Sequence, residues 1–177
     1  MGVQGENNLA IWDLKSGLVV RSCLIKNTTA VNAIAVDPYV GGIHHTSSQE
    51  HLQFSLCGNK GLFNIYRYEL SSQLLQAFEV DNVPAEFQAS DFTSVAYTQI
   101  TSGQQYYAVL GASDGSMTAY DLGQNVFVEG GMKRWCISGE IGQVKTGNGQ
   151  MVVASSTGSI ARWAITPNAS MFPTERA

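Results

Sequence analysis

The chain has 177 residues, 44% of them hydrophobic, which allows one domain or two small ones around a genuine core. Only 14% are charged, against about 25% in an ordinary soluble domain, while glycine is enriched at 18 residues. That balance excludes coiled coils and long solvated helices, which need Glu, Lys and Arg, and points to short strands joined by tight turns. The net charge of −4 excludes the basic footprint by which nucleic acid or anionic lipid is bound.

In chain order, the first element is a strand-like segment from Asn7 to Leu14 that carries Trp12, followed by a second from Leu18 to Leu24. Next come Val31 to Asp37, a loop rich in Gly, Ser, Thr and Gln, and Leu52 to Cys57. The turn Gly58-Asn59-Lys60-Gly61 then leads into a strand carrying Tyr66, with Leu74 to Val80 after it. Beyond a linker at 81–88, the same order returns. Phe92 to Thr98 and Tyr106 to Ala112 are followed by Ser113-Asp114-Gly115, a strand carrying Tyr120, and Val126 to Glu129. It returns once more as Ile141 to Lys145, Met151 to Ser155, Ser156-Thr157-Gly158 and a strand carrying Trp163. Pro167 to Ala177 shows no strand pattern and reads as a tail or linker.

The four aromatic residues recur at intervals of 54, 54 and 43. In the last three repeats a glycine (Gly61, Gly115, Gly158) stands five residues ahead of the aromatic, where a tight turn needs positive φ. Each repeat is therefore a hairpin whose second strand ends in a large aromatic, with one more strand on either side. A four-stranded unit at this period is the pattern of a propeller blade. Here the chain resembles the WD-repeat family. Trp12-Asp13, Tyr120-Asp121, the Ser113-Asp114-Gly115 turn and Val36-Asp37-Pro38 carry the resemblance, over roughly residues 7–166. Tyr66 and Trp163 lack the following Asp, and no Gly-His dipeptide precedes an inner strand, so the family's hydrogen-bond tetrad is not available in its usual form. The Gly130-Gly131 step after Val126-Phe127 is similar to that of cilia- and flagella-associated members.

Few constellations carry chemistry. His44-His45 and His51, with Glu50, are dense enough to suggest a metal, but they fall in one long loop without a defined fourth ligand. Cys23, Cys57 and Cys136 are widely spaced and form no CxxC pair, which fits buried thiols of a reducing compartment. Cys136 beside Lys133-Arg134 and Trp135 is the best thiolate candidate, yet no histidine is near it in sequence to serve as base. Asp13, Asp121 and Asp114 occupy turn and post-anchor positions rather than an acid–base pair. Gly139, Gly142, Gly147 and Gly149 lack the following helix that a dinucleotide fingerprint requires. Phe87, in the linker, reads as a plug between blades.

The sequence therefore predicts an all-β, partial WD-repeat-like propeller of about three to three and a half four-stranded blades over 1–166, some 13 strands, with a tail over 167–177. The four aromatics are its core anchors. The resemblance implies a non-catalytic protein–protein interaction scaffold in a multiprotein assembly, with a structural role in a microtubule-based, axonemal assembly as the alternative and a propeller-platform enzyme as a third reading. No catalytic, cofactor or metal residue is expected, and binding residues are not assigned. Partners are other proteins, without nucleic acid or membrane insertion, in a cytoplasmic, cytoskeletal or ciliary setting. A seven-bladed ring at 40–45 residues per blade needs roughly 280–315. The remainder is expected from a longer chain, a second copy or a partner protein.

Overall fold

The computed structural model describes residues 7–25, 30–38, 51–100, 105–128, 137–147, 149–165 and 171–176. These form fourteen strands and one short helix: β1 (Asn7–Asp13), β2 (Leu18–Ile25), β3 (Val31–Val36), β4 (His51–Gly58), β5 (Phe63–Glu69), β6 (Leu75–Glu79), α1 (Ala85–Gln88), β7 (Phe92–Ile100), β8 (Gln105–Ala112), β9 (Met117–Asp121), β10 (Val126–Phe127), β11 (Ile141–Gly147), β12 (Gln150–Ser155), β13 (Ile160–Ile165) and β14 (Met171–Arg176). Among the described residues no helix is long and apolar enough to cross a membrane.

The strands form one two-stranded sheet, β1-β2, and three four-stranded sheets whose strands lie side by side in chain order: β3 to β6, β7 to β10 and β11 to β14. Every pairing is antiparallel. Turn chemistry sets the order. Lys60 and Gly61, Gly115 and Gly158 all have positive φ, as the sequence required for its hairpins. The strand ranges read from the sequence agree with the structure to within a few residues, with one correction at the tail. Met171–Arg176 pairs with β13 and supplies the fourth strand of the last sheet. Pro173 stands within it and lacks the N–H that a ladder bond needs. It is tolerated because β14 is an edge strand paired across an irregularity at Arg162/Trp163, where a missing N–H costs little.

The sheets pack face to face as three layers of core. Leu9 and Ile25 of the first sheet meet Phe54, Leu56, Tyr66 and Tyr68 of the second. Cys57, Phe63 and Ile65 of the second meet Phe92, Val95, Tyr97, Leu110 and Tyr120 of the third, with Phe87 inserted between them. Tyr107, Val109, Met117 and Ala119 of the third meet Ile141, Val144, Met151, Val153 and Trp163 of the fourth. Strands β3, β7 and β11 touch one another across successive sheets and form the inner side of the arc. Each blade in the middle thus buries both faces, which explains why all five residues of β9, Thr118 and Asp121 included, are buried.

The four aromatics divide. Tyr66, Tyr120 and Trp163 are buried, and each points back at the preceding sheet: Tyr66 joins Leu9 and Ile25 of the first sheet beside its cross-strand neighbour Phe54, Tyr120 meets Phe63 edge-on at 5.4 Å, and Trp163 joins Tyr107 and Met117. Trp12 is 58% exposed, which corrects its assignment as a core anchor. The cause is geometric. Leu9 and Ile11 alternate with Trp12 along β1 and face the second sheet, so Trp12 faces the opposite way, where the described residues provide no sheet.

Candidate interaction site

The inner strands share a local device. β3, β7 and β11 each break register against their neighbour at the second residue, between Val31 and Ala33, Phe92 and Ser94, and Ile141 and Gln143. A bulge re-aims the side chain of its extra residue. Asn32 and Thr93 are thereby turned toward the next blade. Asn32 Nδ2 donates to the Phe92 carbonyl at 2.9 Å and to Asn59 Oδ1 at 2.9 Å. The Thr93 hydroxyl donates to the Ile141 carbonyl at 2.5 Å and lies 3.1 Å from that of Gly111. Gly142 holds the equivalent place in β11 and has no side chain to extend the series.

A second set of bonds ties the turns to the strand starts. The amides of Asn59, Ser113 and Ser156 donate to the carbonyls of Ala30, Asp91 and Glu140, the residues just before β3, β7 and β11. The next blade's linker presses on two of the turn glycines: a Cβ on Gly61 would stand 2.8 Å from the Phe87 carbonyl oxygen, and one on Gly115 2.2 Å from that of Ile137. Only glycine gives both the positive φ and the clearance.

These features frame an open, polar cleft of about 490 Å³ on the rim where the inner strands begin, lined chiefly by Asn32, Asn59, Asp91, Thr93, Ser113 and Glu140. Two carboxylates give it an acidic character. Asp91 Oδ1 accepts the Lys60 amide at 2.9 Å, which fixes that side chain against the neighbouring turn. The cleft offers hydrogen-bond donors and acceptors on rigid strand starts and turns, suited to a polar or basic surface of another protein.

The sequence-derived candidates are placed as follows. Asp13 and Asp121 are turn posts: Asp13 Oδ1 accepts the Lys15 amide at 2.9 Å, and Asp121 Oδ1 accepts those of Gly123 and Gln124 at 2.8 and 2.9 Å. The Asp13 carboxyl is held below its ordinary pKa by the Lys15 amide and by the Ser16 hydroxyl that donates to its other oxygen. Asp114 accepts the Ser116 amide in its own turn. Phe87 is buried and stacks on Phe92 at 5.7 Å, so it is the plug. Asp37 is buried and accepts from Gln53 Nε2 at 3.1 Å, a polar bond within the second sheet. Cys57 is buried, and desolvation pushes its thiol up to about 12, which leaves it an unreactive core residue. His51 lies on β4, while His44, His45 and Glu50 fall outside the described residues, as do Lys133, Arg134, Trp135, Cys136 and the Gly130-Gly131 step. Gly142 and Gly147 belong to strand β11, and Gly139 and Gly149 take positive φ outside it. Sequence reasoning missed Asn32 and Thr93. The bulge that aims them leaves no compositional trace, and only their shared place one residue into each inner strand marks them.

The chain is similar to the β-propeller domain of Cps50 (Swd1) from Myceliophteria thermophila, with a TM-score of 0.64 and 14% identity over 96% of this chain and 51% of that one. It is similar to a chain of the Chaetomium thermophilum Polycomb Repressive Complex 2 bound to GSK126, with a TM-score of 0.57 and 12% identity over 91% of this chain and 32% of that one. A chain of apo ctPRC2 in an autoinhibited state gives 0.55 and 14% over the same shares, 91% and 32%. No family model and no curated protein matches the chain. The chain spans about half of the first structure and a third of the others. At these identities the likeness is one of fold, and the fold is that of a β-propeller arc.

Proposed function

We propose that this chain is part of a WD-repeat propeller that works as a non-catalytic scaffold, holding other proteins on the rim where β3, β7 and β11 begin. One observation carries the reading. The acidic cleft between Asp91 and Glu140 is built on bulged strand starts and bonded turns, a rigid frame that presents polar groups to an incoming surface. Likeness to a chain of Polycomb Repressive Complex 2, a multiprotein complex by its name, supports an assembly role. The partner is a protein with a basic or amide-rich contact surface, met in the cytoplasm. The axonemal version of the reading rests on Gly130-Gly131 alone, and the neighbours give it no support.

The test is affinity purification of the tagged chain from its own cells. A double reversal, Asp91→Lys with Glu140→Lys, is compared with Val152→Lys on the outer face of the last sheet. Loss of co-purifying proteins with the first and retention with the second supports the rim. Equal retention by both contradicts it.

A further inference from the structure

Ser55 Oγ, Tyr97 Oη and Arg67 Nε are buried without a hydrogen-bond partner among the described residues, and all three belong to one joint, that between the second and third sheets. Side chains alternate along a strand. Gln53 and Ser55 therefore share with Cys57 the face of β4 that meets the third sheet, Arg67 shares it with Ile65 of β5, and Tyr97 of β7 faces them. Asp37, just past the end of β3, closes this layer, with Gln53 Nε2 donating to its Oδ2 at 3.1 Å. Ser55, Asp37 and Tyr97 are 0%, 1% and 4% exposed. Burial above all lifts the Tyr97 phenol above its ordinary pKa. The Ser55 hydroxyl beside it opposes that rise and the Asp37 carboxylate adds to it, so the three groups stand together. The layer lies at the far end of β3 from the rim cleft.

The next joint treats the same layer differently. Counted from the bulges and along the pairing, Val109 takes the place of Ser55, and Thr146 that of Tyr97. Val109 is fully buried in an apolar cluster, and the Thr146 hydroxyl donates to the Tyr97 carbonyl across the joint. The unmet hydroxyls thus come from the side chains of one joint and not from blade stacking in general.

Native interiors meet buried polar groups with protein partners or with ordered water. The groups here select the occupant. Arg67 Nε can only donate, and each hydroxyl has a proton to donate, so the occupant must offer lone pairs. An ammonium or a metal cation offers none, and the buried Asp37 carboxylate repels an anion. Water accepts from hydroxyls and donates to a carboxylate at once. We propose that the joint between the second and third sheets holds an internal water, which accepts from the Ser55 and Tyr97 hydroxyls and donates to Asp37. It ties the end of β3 to β7, a polar key at one joint where the next relies on an aliphatic contact.

The test uses the full 177-residue chain. Magnetic relaxation dispersion of water oxygen counts waters held inside the protein, and the unfolding Tm reads their energetics. The variants are Tyr97→Phe, Ser55→Ala and the two together, which only remove oxygens, and Ser55→Val, which copies the next joint. The dispersion amplitude is expected to fall by about one water in the double variant and in Ser55→Val. Tyr97→Phe lowers Tm by roughly 2–4 °C in the native background and by less than half of that beside Ser55→Ala. An amplitude unchanged in both displacing variants overturns the proposal. With coupled Tm shifts it means that the two hydroxyls bond each other directly. Equal Tyr97→Phe shifts in both backgrounds overturn it as well, because the hydroxyls then share no occupant. So does a Tm that climbs with millimolar Na⁺, K⁺ or Ca²⁺ in the native chain but not in Ser55→Val, which makes the occupant a cation.

Discussion

Trp163 and Trp12 hold the same place in their repeats, yet replacing each by alanine is expected to have very different consequences. Trp163 is 3% exposed and packs against the third sheet's Met117, Val109 and Tyr107. A buried Trp→Ala change forfeits transfer free energy and leaves a cavity, at about 3–5 kcal/mol. Trp12 keeps more than half of its surface in solvent and, among the described residues, adjoins no second wall, so no cavity forms. Scaling the same range by its covered fraction gives about 1–2 kcal/mol. Urea or guanidinium unfolding followed by tryptophan-independent far-UV circular dichroism measures both variants. The expected outcome is a midpoint shift roughly two to three times larger for Trp163→Ala. Equal losses would refute the claim that each anchor points at the preceding sheet, because that direction alone exposes Trp12.

Three further outcomes follow from the same geometry. Thr93→Val removes the hydroxyl bond to the Ile141 carbonyl and is expected to cost about 1 kcal/mol, seen as a lower Tm, while Thr93→Ser retains most of it. Gly115→Ala combines positive φ with a Cβ 2.2 Å from the Ile137 oxygen, whereas Gly158, at φ 82°, has nothing within 4 Å. The second change costs only the left-handed backbone penalty of about 1–2 kcal/mol, and the first costs clearly more in the same denaturant titration. Alkali destabilises the fold. Burial raises the Cys57 thiol from 9.0 to about 12 and lifts the phenols of Tyr66, Tyr97, Tyr107 and Tyr120 above their ordinary value. The unfolded chain therefore loses these protons first. Stability is full below pH 9 and falls as pH climbs from 9 toward 12, which unfolding midpoints across that range measure.

The blade pattern was legible because it is written in short-range chemistry. Gly61, Gly115 and Gly158 demand turns, and the apolar runs ahead of them demand buried strands. Tyr66, Tyr120 and Trp163 were legible as core for the same reason. Trp12 was not, because the residue type is identical and only the number of sheets beside it differs. The strand at Met171–Arg176 was hidden by Pro173, whose effect depends on whether its strand is central or at an edge. The cleft was hidden for another reason. Asn32 and Thr93 are ordinary polar residues until a bulge and the next blade give them a carbonyl to meet.

The account's central claim is an open arc of blades stacked face to face, and residue-resolved amide hydrogen exchange tests it most directly. Strands β8 and β9, central in a sheet covered on both faces, are expected to exchange slowest, and β1, an edge in a half-covered sheet, to exchange orders of magnitude faster. Protection of β1 equal to that of β8 in the isolated monomer would contradict the arc and require a closed barrel or sandwich in its place.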